Sequence, residues 1–285
     1  MLRISKLSFP GFGIGEFDVN SEAFSLFGLS VAWYAVIITC GMICAVLYTM
    51  YRAGKIGIIV DDILDYALFV IPIGVLGARL YYVFASLDKY DSLEDVFNIR
   101  NGGLAIYGGI LAGAVAVIAV SYFKKINFFA MADCCTPGII LAQAIGRWGN
   151  FMNGEAFGAE TDIFCRMGVQ NILTNYKMIY VHPTFLYESL WNVIGFVLIN
   201  IFYKHKKYDG QVFLMVFGWY GFGRMLIEGL RADSLYTEIF GWEFRTSQVL
   251  AAIIFIVCSA LLIYFTVKKP TKALYFKQPK ESKKT

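Results

Sequence analysis

Three arginines in the sequence lie within or at the edge of long apolar stretches: Arg79, Arg147 and Arg224. A charged side chain at the centre of a bilayer costs about 2.5–3.5 kcal/mol on insertion scales, so a charge there needs a compensating role. The guanidinium group presents five planar donors and binds a phosphate or a carboxylate through two parallel hydrogen bonds. The three arginines therefore predict a site that holds an anionic group within an apolar protein.

Other polar side chains are expected at the same depth as these arginines, because they fall near the corresponding ends of the apolar stretches. They are Tyr107, Glu155, His182, Glu188, Glu228 and Ser247. One alternative is that the charges form structural ion pairs, such as Arg224 with Glu228 four residues later on a helix. We favour a single site for the whole set, since one structural pair does not require three arginines.

The sequence lacks the patterns of several common catalytic sites. It has two histidines, His182 and His205, and six cysteines without a C-x-x-C pair, so no metal site is expected. It also lacks a P-loop, a G-x-G-x-x-G after a strand and a G-x-S-x-G, so neither a nucleotide enzyme nor a serine hydrolase is supported. We expect no cofactor and no nucleic-acid partner. Arginines that bind anions, beside groups able to carry protons, suit an enzyme whose substrates bring both nucleophile and leaving group.

The composition places these groups in a polytopic membrane protein. Of the 285 residues 58% are hydrophobic and 16% charged, with a mean hydropathy of +0.60, whereas a globular chain is roughly 45–50% apolar and about 25% charged. The apolar runs are too long and too continuous for the strands of a membrane β-barrel. We expect a single all-α integral membrane domain with seven transmembrane helices. The apolar stretches lie at roughly 27–50, 63–86, 103–123, 129–149, 184–203, 211–230 and 247–267, the fourth being the weakest because it contains Asp133 and Pro137.

The distribution of Lys and Arg predicts which side of the membrane each connection faces. Fourteen of them, thirteen Lys and one Arg, lie on one side of the seven stretches and eight lie on the other. Since positive charge accumulates in cytoplasmic connections, we expect the N-terminus outside, the C-terminus in the cytoplasm and the three arginines toward the outer face. Outside the spans we expect an external or interfacial arm at 1–26 without a cleavable signal peptide, an external loop region at about 150–182 and a basic cytoplasmic tail at 268–285.

Glycines are concentrated near the end of the fourth apolar stretch, at Gly146, Gly149, Gly154 and Gly158. Irregular backbone at membrane depth is tolerated only where it is buried in protein or lines a wet cavity. We therefore expect a turn around Arg147 that contacts a ligand.

Four segments of the chain carry specific motifs. Residues 146–158 read GRWGNFMNGEAFG and match G-R-x-G-N-F-x-N-x-E-x-x-G, and residues 182–188 read HPTFLYE and match H-P-[ST]-x-L-Y-E. Residues 220–231 match Y-G-x-x-R-x-x-x-E-x-x-R, and residues 77–79 contain an arginine in the second apolar stretch. This combination resembles the bacterial phosphatidylglycerol–prolipoprotein diacylglyceryl transferase family. The resemblance covers essentially the whole chain.

The resemblance implies a reaction at the outer face of the bacterial cytoplasmic membrane. The diacylglyceryl group of phosphatidylglycerol is transferred to the lipobox cysteine of a preprolipoprotein as a thioether, and glycerol phosphate leaves. The implied partners are phosphatidylglycerol, the preprolipoprotein signal peptide and membrane lipid. The attacking thiol, with an ordinary pKa of about 8.5, must lose its proton, and the arginines are most useful where negative charge develops on the departing phosphate.

The resemblance also implies roles for individual residues. Arg147 and Arg224 hold the lipid phosphate and stabilise the leaving group, and Glu155 and Glu228 fix the arginines. His182 or Tyr107 helps to remove the thiol proton, but many family members carry His at the position of Tyr107, so the identity of the base stays open. The remaining candidates for substrate binding are Tyr34, Arg79, Asn150, Asn153, Gly158, Tyr220 and Arg231.

Two other functions are compatible with arginines inside a membrane. A transporter or channel for an anionic lipid or solute predicts polar groups through the full membrane depth and usually an internal repeat. The inner halves of the third, fifth and seventh stretches are nearly uncharged and no internal repeat is visible, which favours the enzyme. The second alternative is another phospholipid head-group or acyl transferase.

Overall fold

The computed structural model describes residues 4–87, 96, 102–239, 242–268 and 274. Six of its long helices coincide with predicted stretches to within four residues and the first begins six residues later than predicted, after a strand, so the mostly helical fold is confirmed. Six of them, all except α6, are long and apolar enough to cross a membrane by length and composition. The tail predicted at 268–285 lies outside the described residues except for two positions. The helices are α1 Trp33–Gly54, α2 Val60–Phe84, α3 Ile106–Lys124, α4 Phe128–Asn153, α5 Thr184–Phe202, α6 Gln211–Glu228 and α7 Thr246–Lys268.

Within the described part of the chain eight short strands accompany the helices, so the expectation of an all-α chain is corrected. Four of them form an antiparallel sheet in the order β2-β1-β5-β6, and the others form two hairpins, β3–β4 and β7–β8. The strands are β1 Ile4–Phe9, β2 Ile14–Asn20, β3 Glu22–Leu26, β4 Leu29–Ala32, β5 Met167–Gln170, β6 Ile179–Val181, β7 Tyr236–Ile239 and β8 Trp242–Arg245.

The segment predicted as an exposed or interfacial arm contains strands that pair with the loop region predicted at about 150–182. Leu7 of β1 lies opposite Val169 of β5, and both side chains are fully buried. They form a small core with Val181 and Phe185. The arm is ordered because this apolar core covers one face of the sheet.

The chain divides into two compact units, one of Met1–Tyr48 with Cys135–Lys272 and the other of Thr49–Cys134 with Ala273–Thr285. In the second unit, α2 and α3 approach closely where Gly77 meets Gly108, because a Cβ on Gly77 would lie 2.8 Å from the Gly108 carbonyl oxygen. Tyr66 Oη and Ser121 Oγ, 2.8 Å apart, join the same two helices. The single membrane domain expected from the sequence stays a prediction.

Helix α4 is continuous from Phe128 to Asn153 although it contains Pro137, so the predicted turn around Arg147 is wrong. Gly149 does not interrupt the helix but provides space for a neighbouring ring, since a Cβ there would lie 2.6 Å from Cδ2 of Tyr34. The chain leaves the helix at Gly154, whose φ of +57° lies in the left-handed region that favours glycine.

Candidate active site

Three helix ends of the first unit carry the charged side chains of the candidate site. Arg147 lies in the last two turns of α4, Glu188 in the second turn of α5 and Arg224 in the last two turns of α6. Arg231 follows the end of α6 by three residues. The structure therefore brings together residues from three of the motifs that the sequence contains.

The carboxylate of Glu188 contacts Arg147, Arg224 and Arg231. Its Oε2 lies 2.5 Å from Arg147 Nη2, and Arg224 Nη1 donates to Oε1 and Oε2 at 3.0 and 3.2 Å. Arg231 Nη1 lies 3.6 Å from Oε1. Because Glu188 is only 4% exposed, burial of its carboxylate costs free energy that these three arginines offset.

Glu228 is the second buried carboxylate of the site, at 1% exposure. Its Oε2 lies 2.5 Å from Arg224 Nη2 and 3.9 Å from Arg231 Nε, and the contacts are ion pairs without hydrogen-bond alignment. Its backbone carbonyl accepts from Arg245 Nη1. The i,i+4 pair of Arg224 and Glu228 considered above therefore exists, but within a larger cluster.

Asp233 binds Arg231 from the more exposed side of the cluster. Arg231 donates Nε to Oδ1 at 2.9 Å and Nη2 to Oδ2 at 2.8 Å, the bidentate geometry of a strong pair. Burial alone would raise the pKa of Asp233, but the hydrogen bonds and charge of Arg231 lower it below its ordinary value. Burial alone would lower the pKa of Arg231, because it disfavours the charged form. The hydrogen bonds and charge of Asp233 outweigh burial and raise this pKa above its usual range.

The ion-paired set contains three guanidinium groups, of Arg147, Arg224 and Arg231, and three carboxylates, of Glu188, Glu228 and Asp233, so its formal charges balance. Arg147 has the most exposed side chain of the three arginines that contact Glu188, at 21% against 13% for Arg224 and 11% for Arg231. An anion that enters the cluster therefore meets Arg147 most readily.

Carboxamide side chains extend the cluster along the end of α4. Arg147 Nη1 lies 3.5 Å from Asn150 Oδ1. Glu155 Oε1 accepts from Asn150 Nδ2 at 3.4 Å and from Asn153 Nδ2 at 3.0 Å. In these contacts Glu155 orients two amides, while Glu188 contacts the arginine.

A connecting segment, residues 157–160, joins the His182 motif to the end of α6. Gly158 N donates to the His182 carbonyl at 2.9 Å and Ala159 N donates to the Leu230 carbonyl at 2.7 Å. A Cβ on Gly158 would lie 2.6 Å from His182 Cβ and 2.8 Å from the Leu230 carbonyl oxygen. Glycine is required at this position because the backbone passes between two neighbours with no space for a side chain.

His182 lies at the start of a short chain of polar groups. Its Nδ1 is 3.4 Å from Tyr187 Oη, and the same hydroxyl is 3.4 Å from Cys165 Sγ. The imidazole is half-buried. This arrangement gives the site an imidazole able to exchange protons beside the connecting segment.

The other predicted site residues are distributed over both units. Tyr34 packs against Gly149 in α4, and Tyr220 precedes Arg224 by one turn on the same face of α6. Arg79 and Tyr107 belong to the second unit. There Arg79 is buried and donates to the carbonyls of Val96, Gly102 and Gly103 at 2.7 to 3.0 Å, and Tyr107 lies in the first turn of α3. Their contact with substrate stays a prediction.

Three site residues were not assigned a role from the sequence. Glu188 was predicted among the polar groups of the site and lies within a motif, but its contact with three arginines depends on how α4, α5 and α6 face one another. Asp233 and Arg245 lie outside the apolar stretches, and nothing in their spacing indicates that they contact Arg231 and the end of α6. The signal that could have found Glu188 is its position as an acid near the start of an apolar stretch.

Comparisons with known proteins give one consistent result. The family described as prolipoprotein diacylglyceryl transferase matches residues 21–264. A phosphatidylglycerol–prolipoprotein diacylglyceryl transferase of Enterococcus faecalis is 42% identical over 278 residues, which cover 94% of this chain and 97% of the relative. Relatives of the same name are 45% identical in Clostridioides difficile, over 82% of this chain and 91% of the relative, and 44% identical in Streptococcus pneumoniae, over 87% and 94%.

Proposed function

The chain belongs to the prolipoprotein diacylglyceryl transferase family, and from this membership we propose how its site carries out the transfer. It is an enzyme, a diacylglyceryl transferase that uses phosphatidylglycerol in lipoprotein maturation. The acceptor is the thiol of the lipobox cysteine in a preprolipoprotein. The sulfur–carbon bond forms as the carbon–oxygen bond to the phosphate breaks, the thiol loses its proton and glycerol phosphate leaves with the bonding electron pair.

The observation that carries this proposal is the cluster of arginines around Glu188. Three guanidinium groups converge there on one carboxylate, and guanidinium is the side-chain group that binds a phosphate through paired hydrogen bonds. Arg147 binds the lipid phosphate because it is the most exposed of the three arginines on Glu188. Arg224 and Arg231 lie behind it and stabilise the charge that develops on the leaving group, which prearranged donors do without reorganisation at the moment of reaction.

The amides at the end of α4 position the substrate. Glu155 accepts one hydrogen bond from each of Asn150 and Asn153 and so fixes the direction of both carboxamides. Their remaining donors and acceptors bind the glycerol head group or the peptide backbone. Tyr34 and Tyr220 border the same region, one against Gly149 of α4 and the other on the Arg224 face of α6.

The thiol proton is taken by His182 or by Tyr107. His182 is supported by its place beside the connecting segment. In that segment Gly158 N donates to the His182 carbonyl, and the next residue, Ala159, donates to the Leu230 carbonyl just after α6. An imidazole is the side chain that most often acts as a general base. Tyr107 is the second candidate on the strength of the family motif.

The protein lies in the cytoplasmic membrane with seven spans, the N-terminus outside and the site toward the outer face. Six helices are apolar enough to span by composition. Helix α6 is the seventh span, because an outside N-terminus and a cytoplasmic C-terminus require an odd number of crossings. A membrane-impermeant maleimide tests this orientation in intact cells. Cys165, which is the cysteine outside the helices, should react in intact cells, whereas a cysteine placed after Lys268 should react only after lysis. The reverse pattern would contradict this orientation.

The transfer itself is tested with purified protein, phosphatidylglycerol and a lipobox peptide. The peptide with cysteine should gain the mass of one diacylglyceryl group with release of glycerol phosphate. A matched peptide with serine in place of cysteine should gain nothing. Equal modification of both peptides, or transfer of an acyl group alone, would contradict the proposed reaction.

A further inference from the structure

Two indole rings join α5 to α6 close to the Glu188–Arg224 pair. Trp191 and Trp219 stack with ring centroids 4.3 Å apart and planes inclined by 16°. Trp191 Nε1 donates to the carbonyl oxygen of Trp219 at 3.0 Å, and Trp219 Nε1 donates to the carbonyl oxygen of Trp191 at 3.0 Å. Each helix thus supplies one donor and one acceptor to a reciprocal arrangement.

A glycine faces each of the two rings. A Cβ on Gly195 of α5 would lie 2.7 Å from Cε2 of Trp219, and a Cβ on Gly223 of α6 would lie 2.7 Å from Cε2 of Trp191. In both helices the glycine follows the tryptophan by four residues, so it lies on the same face. The four residues form a matched set in which any larger side chain at either glycine would displace an indole.

This indole pair is adjacent to the charged cluster along both helices. Glu188 precedes Trp191 by three residues on the same face of α5, a distance of about 4.5 Å along the axis. Arg224 directly follows Gly223, and its Nη1 reaches both oxygens of Glu188 at 3.0 and 3.2 Å. A rotation or slip of α6 against α5 would therefore break the indole hydrogen bonds and displace Arg224 from Glu188 together.

We propose that Trp191 and Trp219 are positioning residues of the transfer reaction. They fix the rotation and register of α5 against α6, so that Glu188 holds Arg224 where it stabilises the departing phosphate. An indole N–H in an apolar environment has few alternative partners, which makes the reciprocal pair specific for one register. The inference rests on the proposed function, and the two residues act through Glu188 and Arg224 rather than on the substrate.

The test uses Trp191→Phe and Trp219→Phe in the full chain, because both keep an aromatic ring and remove one indole donor. The near-ultraviolet circular dichroism of the stacked indoles should be lost in each variant. We expect kcat for transfer from phosphatidylglycerol to fall about tenfold and KM for the lipid to change less than about threefold, since a displacement of a catalytic group acts on the rate. Trp33→Phe, which alters an exposed ring, should keep both the dichroism and kcat.

A double-mutant cycle with Glu188→Gln separates positioning from a general structural role. If Trp191 acts through Glu188, Trp191→Phe should cost less than about twofold in kcat in the Glu188→Gln background. An equal cost in both backgrounds, or an unchanged kcat after loss of the dichroism, overturns the proposal. If Trp191→Phe does not fold, Trp219→Phe replaces it in the same double-mutant cycle with Glu188→Gln. A wild-type chain that leaves the cysteine peptide unmodified would instead refute the proposed function.

Discussion

Replacement of Glu188 by Gln is the most informative single change in the charged cluster. The substitution keeps the size of the side chain and one oxygen, but removes the charge that Arg147, Arg224 and Arg231 share at 2.5 to 3.6 Å. Two unit charges about 4 Å apart attract by about 4 kcal/mol at an effective dielectric constant of 20. The desolvation of a carboxylate that is 4% exposed opposes this attraction.

The net effect of breaking a buried ion pair is a loss of about 3–5 kcal/mol in the free energy of unfolding. We expect Glu188→Gln to lose about 3 kcal/mol, because the amide oxygen still accepts one hydrogen bond. Since Arg147 and Arg224 lose their common partner, kcat for diacylglyceryl transfer should fall about 10²–10³-fold in the folded fraction.

The assay compares initial transfer rates to a cysteine peptide with thermal unfolding of the same detergent-solubilised samples. Asp233→Asn is the matched control, because its carboxylate also binds an arginine but its side chain is 51% exposed. That control should cost less than about 1 kcal/mol, as exposed pairs do. A Glu188→Gln protein with wild-type stability and a kcat within about threefold of wild type would show that Glu188 does not hold the arginines for catalysis.

Three further predictions concern the rest of the site. Arg147→Lys at normal expression should lower the transfer rate about 10²-fold, because an ammonium cannot hold a carboxylate and a phosphate in the same planar geometry; near-normal transfer would exclude bidentate holding. Gly158→Ala should lower the unfolding temperature, with a cost of about 1–3 kcal/mol for overpacking, whereas Gly146→Ala should not, since a Cβ there meets nothing within 4 Å. For the proton acceptor, either His182→Ala or Tyr107→Phe should lower the rate about 10²-fold at pH 7, and full activity in both would remove both candidates.

The helices could be predicted from the sequence because they depend on local composition, and each long apolar run contains one. The order of the runs also predicts which helix ends carry the polar groups of one site. Arg147 and Arg224 were therefore expected near each other, and both contact Glu188.

The pairing of distant strands and the rotation of one helix against another could not be predicted from local composition. Strand β1 pairs with the distant strand β5, for example Leu7 with Val169. The four residues of β5 are too few for an alternation of apolar and polar side chains to indicate this pairing. The contact of Glu188 with three arginines depends on the rotation of α5 against α6, which the spacing of Trp191 and Gly195 helps to set. The glycines near Arg147 suggested a broken helix, but Gly149 serves to accommodate Tyr34 and the helix continues.

The arginines around Glu188 should receive the phosphate of the lipid, and a binding titration measures this without the chemical step. Native mass spectrometry of the purified chain would compare the retention of phosphatidylglycerol with that of diacylglycerol, which has the same chains without the phosphate. The wild-type protein should prefer phosphatidylglycerol at least about tenfold, and Arg147→Ala should remove most of that preference while leaving diacylglycerol binding unchanged. An equal preference in the wild type and in Arg147→Ala would contradict the central claim.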